Sequence, residues 1–120
     1  MAKFVDGFVL PVAKKKLAAY KKLAQLAAKV WIEHGALAYH ECVANQLAVP
    51  MGIRFDQLTK SKKGETVVFA WIVYKSRAHR DRVSAKVMTD PRMTAACDMA
   101  NLPFDMHRMT WGGFESLVEG

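Results

Sequence analysis

Residues 67–88, VVFAWIVYKSRAHRDRVSAKVM, decide the fold of this chain. The apolar run that opens this stretch predicts a buried strand over residues 66–75 with apolar side chains on both faces. Ser76 is a suitable N-cap, and the charged, helix-period sequence after it predicts a helix over residues 77–89. A strand that is apolar on both faces needs cover on two sides. We therefore expect helices on one face and a second sheet on the other, most simply from a second copy of the chain.

The remaining elements follow from the same reasoning about period and punctuation. We expect Pro11 to end the first strand, Gly35 to end the long helix, and Asp90 with Pro91 to start a short one. The predicted elements are strand 3–10, helix 13–34, strand 36–44, helical turn 55–59, helix 92 to about Met99, and strand 108–119 with a bulge at Gly112-Gly113. The order βαββαβ with an extra short helix predicts an α+β, ferredoxin-like fold. Both main helices would then lie on one face of a four-stranded antiparallel sheet.

Length and composition limit the functional classes. A chain of 120 residues predicts a single domain over residues 1–120 that folds without disulfides or metal. The N-terminal sequence lacks the apolar region of a signal peptide, and no apolar run reaches the ~20 residues of a membrane span, so we expect a cytoplasmic protein with no membrane partner. Cys42 and Cys97 are not in a C-x-x-C pair, and we expect both to be buried thiols.

The charge distribution leaves two interpretations open. The formal net charge is +7, from 18 basic and 11 acidic residues. A third of the basic residues lie on the first predicted helix, opposite its apolar face: Lys14, Lys15, Lys16, Lys21, Lys22 and Lys29. Lysines at this spacing are typical of a solvated helix face, which argues against nucleic acid as a partner, but they could also contact RNA or another acidic partner.

The chain also resembles a known family. The segments VDGFV with Pro11, EHGAL with Tyr39, GETVVF with WIVY, SRAHRD, AKVM with DPR, and PFD with GGF are similar to the YbaA-like bacterial proteins of unknown function. The resemblance spans nearly the whole chain and implies the dimeric α+β barrel superfamily. That superfamily includes cofactor-independent monooxygenases, haem-degrading enzymes, isomerases and stress-response proteins. Asn45-Gln46 and Met106-His107 depart from the family pattern, and neither change threatens the implied fold.

Two residues are candidates for acid–base catalysis. His79 falls in the first turn of the helix after Ser76, where the positive helix end lowers an imidazole pKa and favours a neutral base or ligand. Its charged neighbours make a structural role in a surface network equally open. Asp6 lies on a mostly apolar strand, and it is either a buried carboxylate with a raised pKa or the ion-pair partner of an arginine such as Arg108.

Aromatic residues supply the candidate lining of a pocket between helices and sheet. We expect such a pocket to be lined by Tyr20, Trp31, Trp71, Trp111 and Arg108, although aromatic residues at helix and strand spacing are also typical of plain core. The histidines and cysteines show no metal-ligand spacing, and no nucleotide-binding or serine-hydrolase motif occurs, so we expect neither a metal ion nor a cofactor.

These features favour one functional hypothesis and keep another open. The first is a homodimer whose pocket binds a small hydrophobic or aromatic metabolite, with cofactor-independent oxygenase- or isomerase-like chemistry as an extension. The alternative is a non-catalytic interaction module that contacts RNA or an acidic partner through its basic first helix. The sequence is compatible with both an enzyme and a binding protein.

Overall fold

The apolar run of residues 67–74 lies in one of the two inner strands of the sheet, with a neighbouring strand on each side. In the computed structural model, which describes residues 2–98 and 100–120, the four strands are β1 (Phe4–Ala13), β2 (Ala38–Val43), β3 (Glu65–Tyr74) and β4 (Thr110–Glu115). Their spatial order is β2-β3-β1-β4, and every neighbouring pair is antiparallel. This is the strand order of the predicted ferredoxin-like fold, which is therefore confirmed.

The helices connect the strands in the predicted places. They are α1 (Leu17–Glu33), α2 (Phe55–Leu58), α3 (Arg77–Met88) and α4 (Pro91–Ala96), with 3₁₀ turns at Lys14–Lys16 and Met106–Arg108. The three predicted helix boundaries are confirmed in detail. Ser76 Oγ accepts the main-chain N–H of His79 at 3.1 Å, and an Asp90 carboxylate oxygen accepts the N–H of Arg92 at 2.9 Å. Gly35 after α1 has φ of +114°, a conformation that glycine adopts without strain.

Side chains alternate across β3 and define the two faces of the sheet. Val68, Ile72 and Tyr74 are buried on the face that packs against the helices. Val30 of α1 and Val83 of α3 are buried in the same core, with exposed fractions of 0% and 2%. Burying a side chain of this size contributes about 1.5–3 kcal/mol, so this interface is what holds the helices on the sheet.

The opposite sheet face is apolar and largely open. Phe69 and Phe114 are 43% and 63% exposed on this face, and Trp71 and Val73 are half-buried. Phe55 of α2 covers one end, since its ring lies edge-on to that of Phe69 with 6.0 Å between the centroids. The second sheet expected on this side is not supplied by the described residues of the chain itself.

Two details of the predicted strands and helices are corrected. Pro11 does not end β1, which continues to Ala13. β4 reaches only Thr110, opposite Val9, so Pro11 pairs with β3 alone and its missing N–H is tolerated. The last helix ends at Ala96, and the predicted end near Met99 lies outside the described residues.

The glycines of β4 have a packing role instead of the predicted bulge. The β1–β4 register is continuous from Val9–Thr110 to Phe4–Glu115, so no residue is inserted. A Cβ on Gly113 would lie 2.4 Å from Cζ of Phe4, and a Cβ on Gly112 would touch the ring of Phe114. Both cysteines are exposed, which corrects the expectation of buried thiols.

Candidate functional site

A cavity of about 700 Å³ lies between the helices and the sheet. Its floor is the helix-facing side of β1, β2 and β3, and its walls come from α1, α3 and the chain after α4. The lining is mostly apolar and includes six aromatic and four methionine side chains: Phe8, Tyr20, Trp31, Tyr39, Phe104, Trp111, Met88, Met93, Met106 and Met109. A volume of this size is ordinary for a small-molecule site.

The cavity aromatics form three contacting pairs. Phe8 and Trp111 stack with 5.9 Å between their centroids, Tyr20 meets Phe104 edge-on at 5.8 Å, and Trp31 is tilted against Tyr39 at 6.1 Å. Tyr20, Trp31 and Trp111 therefore lie where the sequence predicts pocket-lining residues. Trp111 is 57% exposed and Met88 is 67% exposed, which places the mouth of the cavity between α3 and β4.

Asp6 is a buried carboxylate at one pole of the cavity. It lies in β1, between β3 and β4, and its side chain is 6% exposed. Arg80 of α3 donates from Nη1 to Oδ1 of Asp6 at 2.9 Å, so the arginine partner is Arg80 and the suggested pairing with Arg108 is wrong. Burial raises the pKa of Asp6 above its ordinary value, because desolvation outweighs the attraction of Arg80.

Arg80 contacts two further neighbours besides Asp6. It also donates from Nε to Oδ1 of Asp81 at 2.8 Å, and its guanidinium carbon lies 4.7 Å from the centroid of the Phe4 ring. Burial would lower the pKa of Arg80, but Asp6 and Asp81 together raise it. Arg80, the single arginine among the described residues that line the cavity, is therefore neutralised by two carboxylates.

A second carboxylate, Glu41, lies at the other pole. Glu41 is half-buried in β2, and both of its oxygens accept phenolic hydroxyls: Tyr20 donates to Oε1, and Tyr39 donates to Oε2 at 2.6 Å. Burial raises the pKa of both tyrosines, and the Glu41 carboxylate raises it further, so both stay protonated donors at neutral pH. Glu41 is absent from the residues predicted from sequence, although the two-residue strand period puts it on the same face as Tyr39.

The other predicted site residues lie outside the cavity. Trp71 is on the opposite face of the sheet, where it stacks on His40 at 4.8 Å. Arg108 makes a bidentate pair with Glu65, with distances of 2.7 and 2.6 Å, and also donates to Asp105 at 3.1 Å. Neither side chain borders the cavity, because strand alternation places Trp71 on the far face and the Arg108 guanidinium is held against Glu65.

His79 is engaged at the start of α3 and does not line the cavity. Its Nδ1 accepts the main-chain N–H of Lys75 at 3.0 Å, which puts the proton of the neutral ring on Nε2. Nε2 lies 3.4 Å from where a Cβ on Gly35 would be, so the ring faces the end of α1. Burial lowers the pKa of His79, and the nearby charges of Lys75, Arg82 and Lys86 lower it further.

Three broader observations concern the described residues, 2–98 and 100–120. They contain no cluster of three or more histidine, cysteine, aspartate or glutamate side chains arranged to hold a metal ion. None of their helices combines the length and the apolar character needed to cross a bilayer. The lysines of the first helical segment, Lys14, Lys15, Lys16, Lys21, Lys22 and Lys29, are all exposed.

Sequence comparison finds relatives that span nearly the whole chain. Residues 3–106 match the model of the family described as "Protein of unknown function (DUF1428)". The Escherichia coli K12 protein "Uncharacterized protein YbaA" is 41% identical over 117 residues, which cover 98% of each chain. The Shigella flexneri protein of the same name matches with the same identity and coverage.

Comparison with solved structures finds the same fold at low sequence identity. A NIPSNAP family protein of unknown function from Agrobacterium tumefaciens has a TM-score of 0.62 at 12% identity, covering 95% of this chain and 87% of its own. A dimeric ferredoxin-like protein from an uncultured marine organism has a TM-score of 0.57 at 14% identity, covering 100% of both chains. At these identities the likeness concerns the fold alone.

Proposed function

The chain belongs to the DUF1428 family of proteins of unknown function, and on that premise we propose that it is a homodimer that binds a small hydrophobic or aromatic metabolite in the helix–sheet cavity. The single observation that carries the proposal is the cavity itself. It encloses about 700 Å³ lined largely by aromatic and methionine side chains, with polar groups confined to two poles. An apolar surface with a few oriented polar groups is the usual design of a small-molecule site.

Methionine supplies adaptability to this lining. Met88 and Met106 are exposed at the mouth, whereas Met93 is buried deeper in the core. Unbranched thioether side chains repack around ligands of different shape at low cost. The cavity is therefore suited to an apolar ligand whose outline it can follow, and less suited to a highly charged one.

Within this proposal, Asp6 is the acid–base candidate for oxygenase- or isomerase-like chemistry. It borders the cavity, and its raised pKa makes it a better proton carrier near neutral pH than an ordinary aspartate. His79 is the weaker candidate because its ring faces the end of α1.

A thermal-shift screen with a blocked variant tests the ligand proposal. Quinones, polyphenols and simple aryl alcohols are titrated against the native protein, Ala85→Trp and Ala78→Trp. Ala85 lines the cavity and Ala78 does not, although both are exposed on α3. We expect at least one compound to raise the melting temperature of the native protein and of Ala78→Trp but not of Ala85→Trp. Stabilisation that survives in Ala85→Trp, or none with any compound, would contradict the proposal.

The dimer proposal rests on the open sheet face. Phe69, Trp71 and Phe114 form an apolar surface with no cover from the described residues except at its Phe55 end. Contiguous apolar patches of this kind mark interaction surfaces, and a two-fold axis lets one patch cover its own copy. The marine ferredoxin-like neighbour is described as dimeric, which supports the same assembly here.

Phe114→Glu tests this assembly by light scattering after size-exclusion chromatography. A charge within a desolvated interface opposes association, so we expect the native protein to elute as a dimer and the variant as a monomer. Ile32→Glu is the matched control, because Ile32 is 47% exposed on α1, on the other side of the sheet. A native monomer, or a Phe114→Glu variant that stays dimeric, would refute the assignment.

A further inference from the structure

The charge inside the cavity has the opposite sign to that of the whole protein. The chain carries a formal net charge of +7. Among the described residues that line the cavity, the charged side chains are Arg80 and three carboxylates, Asp6, Glu41 and Asp81. Arg80 is bonded to both Asp6 and Asp81, so its positive charge compensates carboxylates at the Asp6 end of the cavity only. The carboxylate that lacks a counter-charge is Glu41.

Glu41 is also undersaturated as a hydrogen-bond acceptor. An ionised carboxylate has about four acceptor positions, and the two tyrosine hydroxyls occupy two of them. Among the described residues no lysine, arginine or histidine lies within salt-bridge distance of Glu41. Lys21 borders an outer groove that Glu41 also lines, but its side chain is exposed to water, which screens such a pairing and leaves it weak.

The groups around Glu41 favour a cation over a neutral donor. Two tyrosines, Tyr20 and Tyr39, contact Glu41 directly, and the ring of Trp31 packs against that of Tyr39. Aromatic rings attract cations through their negative faces. The tyrosine hydroxyls point at the carboxylate and hold it in one orientation. A carboxylate fixed by two tyrosines and bordered by aromatic rings has the charge and the surroundings that suit an organic ammonium group.

We propose that the ligand of this cavity is an apolar or aromatic amine, whose ammonium group binds Glu41 while its hydrocarbon part fills the apolar lining. The inference rests on the proposed ligand-binding function and adds the chemical class of the ligand. It assigns Glu41 as the specificity-determining residue, with Tyr20 and Tyr39 as the groups that position it.

Three probes of nearly equal shape separate the amine assignment from the broader proposal that the cavity binds an apolar ligand. The native protein is titrated calorimetrically with 3-phenylpropylamine, 3-phenylpropan-1-ol and 3-phenylpropanoate. The alcohol and the amine can both donate a hydrogen bond to Glu41, but only the ammonium group adds the attraction of a full positive charge. We therefore expect the amine to bind about tenfold more tightly than the alcohol, and the carboxylate to bind most weakly because Glu41 repels it.

Variants then assign the preference to Glu41. Glu41→Gln should reduce the amine-to-alcohol affinity ratio to about one while leaving the affinity for the alcohol nearly unchanged. Glu115→Gln, which makes the same charge change at an exposed residue outside the cavity, should keep the native ratio. Tyr20→Phe is a second variant, for use if Glu41→Gln folds poorly. It removes one hydroxyl but keeps the Glu41 charge, so its preference for the amine over the alcohol should persist.

Each outcome decides between the proposals. Equal binding of amine and alcohol by the native protein, or tighter binding of the carboxylate, would overturn the amine assignment and leave the cavity proposal standing. An unchanged ratio in Glu41→Gln would also overturn it. Binding of the amine that persists in Ala85→Trp would place the amine outside the cavity and reject the inference. If none of the three probes binds, the cavity proposal fails and the amine assignment fails with it.

Discussion

Replacing Arg80 by alanine leaves the most buried carboxylate of the cavity without its cation. The side chain of Asp6 is 6% exposed and that of Arg80 is 18% exposed, so the pair is largely removed from water. Removing one partner of a buried ion pair costs about 3–5 kcal/mol, since the other charge stays buried and uncompensated. Asp6 borders the cavity, where water can reach it, so we expect the lower end, about 3 kcal/mol at pH 7. For a domain of this size that lowers the melting temperature by about 10–15 °C.

The pH dependence gives this prediction its sign. The pKa of Asp6 is already raised above its ordinary value of 3.8, and the loss of Arg80 removes the two largest influences that lower it. In Arg80→Ala the folded state therefore takes up a proton more readily than the unfolded state. Its stability rises as the pH falls through the raised pKa toward 3.8, and the deficit relative to the native protein narrows.

Urea unfolding at pH 7 and at pH 4.5 measures both effects. Asp6→Asn and the double variant complete a cycle in which the contacts of Arg80 with Asp81 and Phe4 cancel, leaving the coupling of the pair. At pH 7 we expect the double variant to be more stable than Arg80→Ala alone, because Asp6→Asn removes the uncompensated charge. A loss below about 1 kcal/mol in Arg80→Ala, or a deficit that does not change with pH, would refute the account of a desolvated carboxylate held by Arg80.

Two further predictions concern the sheet and its edge. Gly113→Ala should destabilise the fold by about 1–3 kcal/mol in urea unfolding, because its Cβ would lie 2.4 Å from Cζ of Phe4. Gly7→Ala is the control and should cost less, since its Cβ would meet only ordinary contacts at 3.6 Å. Equal losses in the two variants would contradict this reasoning. Arg108 lowers the pKa of Glu65 from 4.5 to about 2. The native protein should therefore be more stable than Glu65→Gln above about pH 5, and this difference in unfolding free energy should disappear as the pH falls through about 2. A difference that persists below about pH 2 would count against the pairing.

Much of the fold can be predicted from the sequence because it depends on local signals. The apolar run of β3 and the caps Ser76 and Asp90 act over a few residues, and the structure has each of them in the predicted place. The errors arise where a neighbouring strand decides the outcome. Pro11 stays within β1 since β4 has already ended beside it, and Gly113 is small because the ring of Phe4 lies over it.

The candidate site was less accessible to sequence reasoning, because its groups meet only through the tertiary fold. Asp6 is separated by 74 residues from its partner Arg80, and nothing local selects that arginine over Arg108. The Glu41 pole joins a helix residue, Tyr20, to a strand residue, Tyr39, through a carboxylate. The strand period could have placed Glu41 beside Tyr39, but the contribution of α1 depends on how the helix packs.

The helix–sheet cavity is the proposed ligand site of this protein. The most direct measurement is a titration of ¹⁵N-labelled protein with 3-phenylpropylamine, followed by amide chemical shifts. We expect saturable amide shifts concentrated at cavity residues such as Asp6, Glu41 and Ala85, and we expect these shifts to be absent in Ala85→Trp. Shifts confined to the exposed lysines of α1, or no saturable shifts at all, would contradict it.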